Sequence, residues 1–494
     1  MNNSNSFSGQ SPAPYQPLAP HQPPALRKEI LRKSLRCSQQ EAVASATMTG
    51  ASDNFLNAFA IYLQATALQM GWLTAIPQLF GAMFQVLSVW LGNHVRRKPL
   101  VVRVAFLQSA LVAGLAILSV VYGLGRSRQM EMTALILLAI GYFSCLNTIQ
   151  PHWRAWMGGL VPQRRRGVFF AARTRLTMGS SLLVFILGGV VLSQTDALNR
   201  AWVGFALLFA SAAVGRFISA MLLSRMHDPE PESGRNAMPL LDSWNHIVES
   251  LKDPTFRHYS FFVAAMQGAV AVSAPFFAVY MLRDLNFTYL HFCLNSIASI
   301  ATQFVMLRFW GRFSDRFGNH LTMIVASSVI PVIPLLWLFS SHWMYLIIIQ
   351  MISGLSWSGF TLSTANYLYD IRPHHTNFAL YAAVQSGTSA LVVFAGALLG
   401  GYVARHAPEL ALGMADFWEP RSALFLVFIT SALLRVIIVA GFLPLLKEPN
   451  IRHRPKFLNV IFRVARFSAI SGVALDWMSV TRKSRRTEDE TERD

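Results

Sequence analysis

Apolar segments of about 20 or more residues recur along this chain, each long enough to cross a hydrocarbon layer of ~30 Å as a helix. The pattern predicts spans near 43–66, 70–92, 99–124, 132–158, 167–193 and 201–224. After a polar stretch, six more are expected near 257–282, 290–312, 320–340, 343–369, 376–404 and 421–446. The fold class expected is an all-α membrane protein of twelve transmembrane helices. Residues 1–25 are rich in Pro, Ser, Asn and Gln and cannot build a core. Residues 25–36 read as a basic amphipathic piece suited to the inner leaflet. Five units follow: a cytoplasmic N-tail over 1–40, a six-helix bundle over 41–225, a cytoplasmic linker over 226–255, a second bundle over 256–447, and a basic C-tail over 448–494.

Composition turns this pattern into a membrane assignment. Of 494 residues, 53% are hydrophobic and 13% charged, against roughly 25% charged in soluble proteins. A water-facing surface cannot be assembled from that supply, so a soluble enzyme is excluded. Lys and Arg number 42 against 24 acids, for a formal charge of +18. With a cytoplasmic N-terminus, alternate loops hold Arg96-Arg97-Lys98, Arg164-Arg165-Arg166, Arg312, Arg316 and Arg372, while the opposite loops hold only six of the 42 cations. Positive loops stay inside, so both termini are expected in the cytoplasm of a plasma membrane. Cys37, Cys145 and Cys293 form neither a disulfide framework nor a zinc spacing. No phosphate-binding loop, metalloprotease motif or nucleic-acid module is present. Catalysis, a cofactor, a metal and a nucleic-acid partner are therefore not expected.

The two halves repeat. Leu160-Val161-Pro162 matches Ile371-Arg372-Pro373 at an offset of 211, and Gly188-Gly189 matches Gly400-Gly401 at 212. Arg216 corresponds to Arg435 at 219, and Asp228-Pro229 to Glu448-Pro449 at 220. A nearly constant offset predicts two pseudo-symmetric six-helix bundles related by an axis along the membrane normal, with a path between them.

The segment Gly311-Arg312-Phe313-Ser314-Asp315-Arg316-Phe317-Gly318-Asn319-His320 is similar to the G-x-x-x-D-R-x-G-R-K signature of the major facilitator superfamily. The stretch from Trp156 through Pro162 and Gly167 to Arg173 resembles the junction of spans four and five in many bacterial members. The resemblance covers about residues 40–450 and implies a secondary transporter, monomeric in the bacterial inner membrane, that moves a small solute by alternating access. Protons are a candidate coupling ion. The runner-up is a transport-incompetent sensor or scaffold that retains the fold. The resemblance also implies a cytoplasmic gate made of Asn93, Arg96, Arg97, Gly311, Asp315, Arg316, Gly318 and Asp370, with Arg308 beside it. Asn93 and Gly159 stand where relatives carry acids, so the first half has the gate's cations without its carboxylates. Its arginines then pair elsewhere, or the lock is asymmetric.

Charge inside a span costs ~2.5–3.5 kcal/mol on insertion scales, so each instance needs a reason. Asp53 lies deep in the first span among small and polar residues and is the coupling candidate; the alternative is a structural carboxylate bonded to a neighbouring helix. Cavity candidates are Asn54, Tyr62, Gln78, Asn147, Arg154, Arg173, Arg175, Gln267, Tyr280, Asn366 and Gln385. Arg154 sits between Trp153 and Trp156, where a ring can support the cation. Arg173 and Arg175 point to different faces of one helix. Tyr62 and Tyr280 occupy matching places at an offset of 218. For Arg216 and Arg435 the favoured expectation is a structural pair that snorkels to the inner surface. Gln85, Gln108, Gln150, Asn295, Gln303 and Gln350 complete a polar set too numerous to face lipid alone.

Overall fold

The computed structural model describes residues 24–91, 95–125, 129–161, 166–228, 251–371, 378–413 and 422–446. The expected linker and C-tail lie almost wholly outside these residues, as do Asn93, Arg164, Arg165 and Arg372. The helices are α1 (Pro24–Ala51), α2 (Leu56–Tyr62), α3 (Ala67–Leu91), α4 (Arg97–Gly123), α5 (Gln129–Leu160), α6 (Arg166–Ala197) and α7 (Ala201–Arg225). Then come α8 (Pro254–Val279), continued by a π-helical turn Tyr280–Asp284, α9 (Tyr289–Phe317), α10 (Asn319–Val329), α11 (Val332–Leu336), α12 (Trp343–Ile371), α13 (Phe378–Gly413) and α14 (Phe425–Phe442). These helices occupy all twelve predicted segments, and ten stretches, matching the third to twelfth segments, are long and apolar enough to span a bilayer. The protein is a multi-pass membrane protein.

The first segment differs most from expectation. Its helix breaks at residues 52–55, where the Phe55 amide bonds back to the Ser52 carbonyl at 3.1 Å, three residues instead of four. The piece expected on the leaflet, 25–36, is continuous with α1. Leu31 and Leu35 pack with Val101, Trp156, Leu223 and Met226, and Ser38 is fully buried, its hydroxyl on the Met157 sulfur at 3.5 Å. The apolar face at helical spacing is used against protein.

Helix pairing repeats as the sequence does. In the first half α1 packs on α6 and α7, α3 on α5, α4 on α5 and α7, and α6 on α7. In the second half α8 packs on α13 and α14, α9 on α12, α10 on α12, α11 on α14, and α13 on α14. Each first-half pair has its counterpart. Between the halves, α3 packs on α13 and α6 on α9, which exchange roles when the halves are interchanged.

One end of the bundle carries Arg97, Arg225, Arg316 and the N-terminus of α8; we call it the basic end. At the opposite end small residues bring the two halves together. A Cβ on Gly71 would lie 2.8 Å from the Ala397 carbonyl oxygen, and one on Gly189 2.6 Å from the Cys293 sulfur. Nearer the basic end, a Cβ on Gly179 or Gly387 would meet nothing within 4 Å. Close glycine contacts between the halves thus lie at the end opposite the basic one, and open space at Gly179 and Gly387 lies nearer the basic end. Within the second half, Gly400 and Gly396 let α13 ride on α8, since their Cβ atoms would fall 2.1 Å from the Val272 and 2.0 Å from the Gly268 carbonyl oxygens. Gly400→Val should destabilise the protein by about 1–3 kcal/mol through overpacking, measurable as a lower unfolding midpoint in detergent. Gly387→Ala should leave it unchanged.

Candidate functional site

The polar set converges in part. A cavity of about 180 Å³ is lined by Gln78 and Gln85 of α3, Asn147 of α5, Gln267 of α8, and Gln385, Ser386 and Ser389 of α13, with Ala82, Ala390 and Val393. Four expected cavity residues, Gln78, Asn147, Gln267 and Gln385, thus come together from four helices and both halves. The Ser386 hydroxyl reaches Gln85 Oε1 across the halves at 3.4 Å, and Gln385 Nε2 donates to the Ser389 hydroxyl at 3.0 Å. Asn147 Nδ2 donates to the Phe143 carbonyl at 2.9 Å. Gly81 makes room for that amide, because a Cβ there would sit 2.5 Å from it. Pro151 lies one turn on in α5 and has no N–H, so the Asn147 carbonyl loses its helical donor. Side-chain amides and a freed carbonyl offer donors and acceptors without charge.

Asp53 lies outside this lining, in the break between α1 and α2. Tyr142 of α5 donates a short hydrogen bond to its Oδ1. The Ser52 hydroxyl is 3.4 Å from the Tyr142 oxygen and 2.6 Å from the Met48 carbonyl. Tyr142 and Ser52 are buried. The carboxylate is thus held by one phenol, and no arginine pairs with it among the described residues.

The expected cavity arginines are not among the residues that line this cavity. Arg173 pairs with Glu41 of α1 at 2.5 Å, and its guanidinium lies 4.1 Å from the centre of the Trp153 ring. The stacked cation is therefore Arg173, while Arg154 and Arg175 are exposed. Glu41 Oε1 accepts from the Ser219 hydroxyl at 3.0 Å, and Ser219 in turn accepts from Arg216 Nη1 at 3.0 Å. Arg216 and Arg435 do not snorkel: they are 3% and 2% exposed. Arg435 donates to the Ser273 hydroxyl at 2.9 Å and the Ile330 carbonyl at 3.2 Å. The pair is equivalent in place, but the first has a carboxylate nearby and the second bonds only neutral groups among the described residues. Glu41 was missed because it precedes the apolar run; a lone acid between the basic segment 25–36 and that run was its signal.

Tyr62 and Tyr280 are also equivalent, yet both pack in aromatic clusters away from the cavity. Tyr62 sits 5.2 Å from Tyr122 and 5.4 Å from Phe205; Tyr280 sits 6.1 Å from Trp337 and 5.5 Å from Phe425. Their partners are on corresponding helices of the two halves. Asn54 and Asn366 are partly buried and outside the cavity lining.

At the basic end, Arg97 bonds Asp228 through Nε at 2.9 Å and Nη2 at 2.7 Å. Arg97, a cation expected at the gate, thus pairs with an acid of its own half, beyond α7. Burial pushes the neighbouring His227 below the usual histidine range, against the pull of Asp228. Arg96, Arg308, Asp315 and Arg316 are exposed. Gly318 links α9 to α10 with φ +90°, a conformation that explains the signature's second glycine. Gly311 has open space around it. Asp370 lies near the end of α12, and its side chain is outside the described residues.

Two matching bundles around a polar cavity between them define a membrane transporter fold. A family model described as Major Facilitator Superfamily matches residues 259–482. Over that stretch, in its second half, the chain is similar to the major facilitator superfamily. Among curated proteins none matches it by sequence. Solved structures similar to it include the nucleoside transporter NupG, at 13% identity and TM-score 0.61 over 83% of this chain and 98% of that one. The xylose transporter XylE from E. coli, in a partially occluded inward-open conformation, aligns at 10% identity and TM-score 0.57 over 86% and 100%. A bacterial homologue of the human lysosomal transporter Spinster, inward-facing and unoccupied, aligns at 13% and 0.56 over 87% and 100%. At these identities the likeness concerns the fold.

Proposed function

We propose that the protein is a secondary transporter for a small, uncharged, hydrogen-bonding solute, held in the amide cavity and exposed to each face of the membrane in turn. One observation carries the cargo class: five amides and two hydroxyls from both halves line the cavity, with no ionisable group among them. A charged cargo there would lose water without gaining a counter-charge. Hydroxyl-rich neutral solutes suit the lining, in keeping with the nucleoside and D-xylose named for similar structures. At about 180 Å³ the cavity is smaller than the ~300–1,000 Å³ of ligand sites, so loading requires the halves to part. The open space at Gly179 and Gly387 toward the basic end supports opening there. In this reading the basic end is cytoplasmic, and the loops with Arg96, Arg97, Asp315 and Arg316, together with Asn93 and Asp370, close it in the other state. Asp53 couples the cycle to protons.

Uptake into proteoliposomes, measured for a panel of neutral, anionic and cationic solutes, tests the proposal. Neutral hydroxylated solutes should be carried. Asn147→Leu and Gln267→Leu should each lower kcat/KM about 10–100-fold, the effect of ~1.4–3 kcal/mol of lost hydrogen bonding. Selective transport of a charged solute, or wild-type rates in both variants, would overturn it.

A further inference from the structure

A second, larger hollow lies on the outside of the first half. It is a groove of about 640 Å³ between α1 and α7, walled by Val43, Thr47, Val214, Ile218 and Leu222. Gly215 forms its floor, where a Cβ would lie 2.8 Å from the Ala44 carbonyl oxygen and 3.0 Å from Thr47 Cβ. Val214 and Ile218 are 58% and 45% exposed, so in a bilayer the groove opens to acyl chains.

The helices flanking the groove end in cations at the same level. On α1, residues 36, 40, 43 and 47 share one face at helical spacing, and on α7 so do 214, 218 and 225. The helices are antiparallel, and their register is set by three contacts. Ala44 meets Gly215, the Ser219 hydroxyl reaches Glu41 at 3.0 Å, and the His227 amide reaches the Ser34 hydroxyl at 3.0 Å. That register brings Arg36 level with Arg225, one turn beyond Gln40 and Leu222 at the groove's mouth. Both arginines are exposed, and neither makes an ion pair among the described residues. Arg32 continues the α1 face outward, with Glu29 beyond it. The nearer acids are engaged, Glu41 with Arg173 and Asp228 with Arg97.

We propose that this groove is a binding site for one anionic phospholipid, its acyl chain along Val43–Leu222 and its phosphate between Arg36 and Arg225. Charge complementarity selects this occupant. An apolar trough ending in two guanidiniums at the membrane boundary matches a molecule with a long hydrocarbon and a phosphodiester. Bound there, the lipid ties the start of α1 to the end of α7 on the face opposite the central cavity.

The test compares unfolding midpoints in lipid discs of phosphatidylglycerol and of phosphatidylcholine, with native mass spectrometry of the phosphatidylglycerol retained. Phosphatidylglycerol should raise the midpoint of the wild-type protein. Arg36→Gln/Arg225→Gln should lose most of that rise while matching wild type in phosphatidylcholine. Lys252→Gln/Arg257→Gln, which removes equal charge at the basic end of the other half, should keep it. Ile218→Trp fills the groove without altering charge and should reduce the lipid retained. Inorganic phosphate added to phosphatidylcholine discs should raise nothing. A full rise in the arginine double variant, an equal loss in the charge-matched one, undiminished retention in Ile218→Trp, or a rise with phosphate alone would each overturn the proposal.

Discussion

Replacing Glu41 with alanine should destabilise the protein by about 3–5 kcal/mol, the range for breaking a buried ion pair by removing one partner. The carboxylate serves Arg173 directly at 2.5 Å and holds Ser219, which accepts from buried Arg216. Without it, two guanidiniums lose their nearest negative charge. Partial loss is expected for Glu41→Asp, which keeps the charge on a shorter stem. Urea unfolding in detergent measures the effect, and a loss below about 1 kcal/mol, typical of surface ion pairs, would show that other groups neutralise these arginines. Ser273→Ala in the second half removes a hydroxyl from Arg435 and should cost less, about 1–3 kcal/mol, because no counter-charge is removed.

Asp53→Asn should abolish concentrative uptake while leaving exchange of solute across the membrane intact. The carboxylate lies outside the amide-lined cavity, so its amide counterpart keeps the lining residues in place. Asparagine matches its shape but cannot take up or release a proton. Tyr142→Phe, which removes the one hydroxyl bonded to Asp53, should shift the pH at which uptake is half-maximal without changing the solutes accepted. Accumulation in Asp53→Asn equal to wild type would make Asp53 a structural residue of the helix break. Loss of exchange together with uptake would have the same meaning.

How far these features could be read in advance depends on the distance over which they act. Span positions were legible because solvation by lipid imposes a long apolar run, visible without knowing what the helix touches. The repeat was legible too: Arg216 and Arg435 share an offset because their helices, α7 and α14, hold the same place in each half. Amides Gln78, Asn147, Gln267 and Gln385 stood out as polar groups too costly to face lipid. Their convergence follows from packing α3 of one half, with α5 on it, against α8 and α13 of the other. What periodicity does not carry is the identity of a partner. Glu41 meets Arg173 across 132 residues and Ser219 across 178, so an arginine that looked available for cargo was already engaged. Tyr62 and Tyr280 were correctly paired by symmetry, but their aromatic neighbours lie on distant helices. The split of the first span at 52–55 had only a weak local sign, the run of Gly50, Ser52, Asp53 and Asn54.

The tight end of the bundle is joined without an ion pair among the described residues, although the Arg283 guanidinium donates to the Ile61 carbonyl across the halves at 3.4 Å. Gly71 on Ala397, Gly189 on Cys293, and Phe205 with Tyr289 at 5.6 Å meet by backbone proximity and ring packing. Among the described residues no acid–base pair crosses there. Screening by dissolved salt leaves the glycine and ring contacts untouched, so the rate at which this end separates should depend only weakly on ionic strength, through Arg283. Temperature and pressure are the variables that govern it.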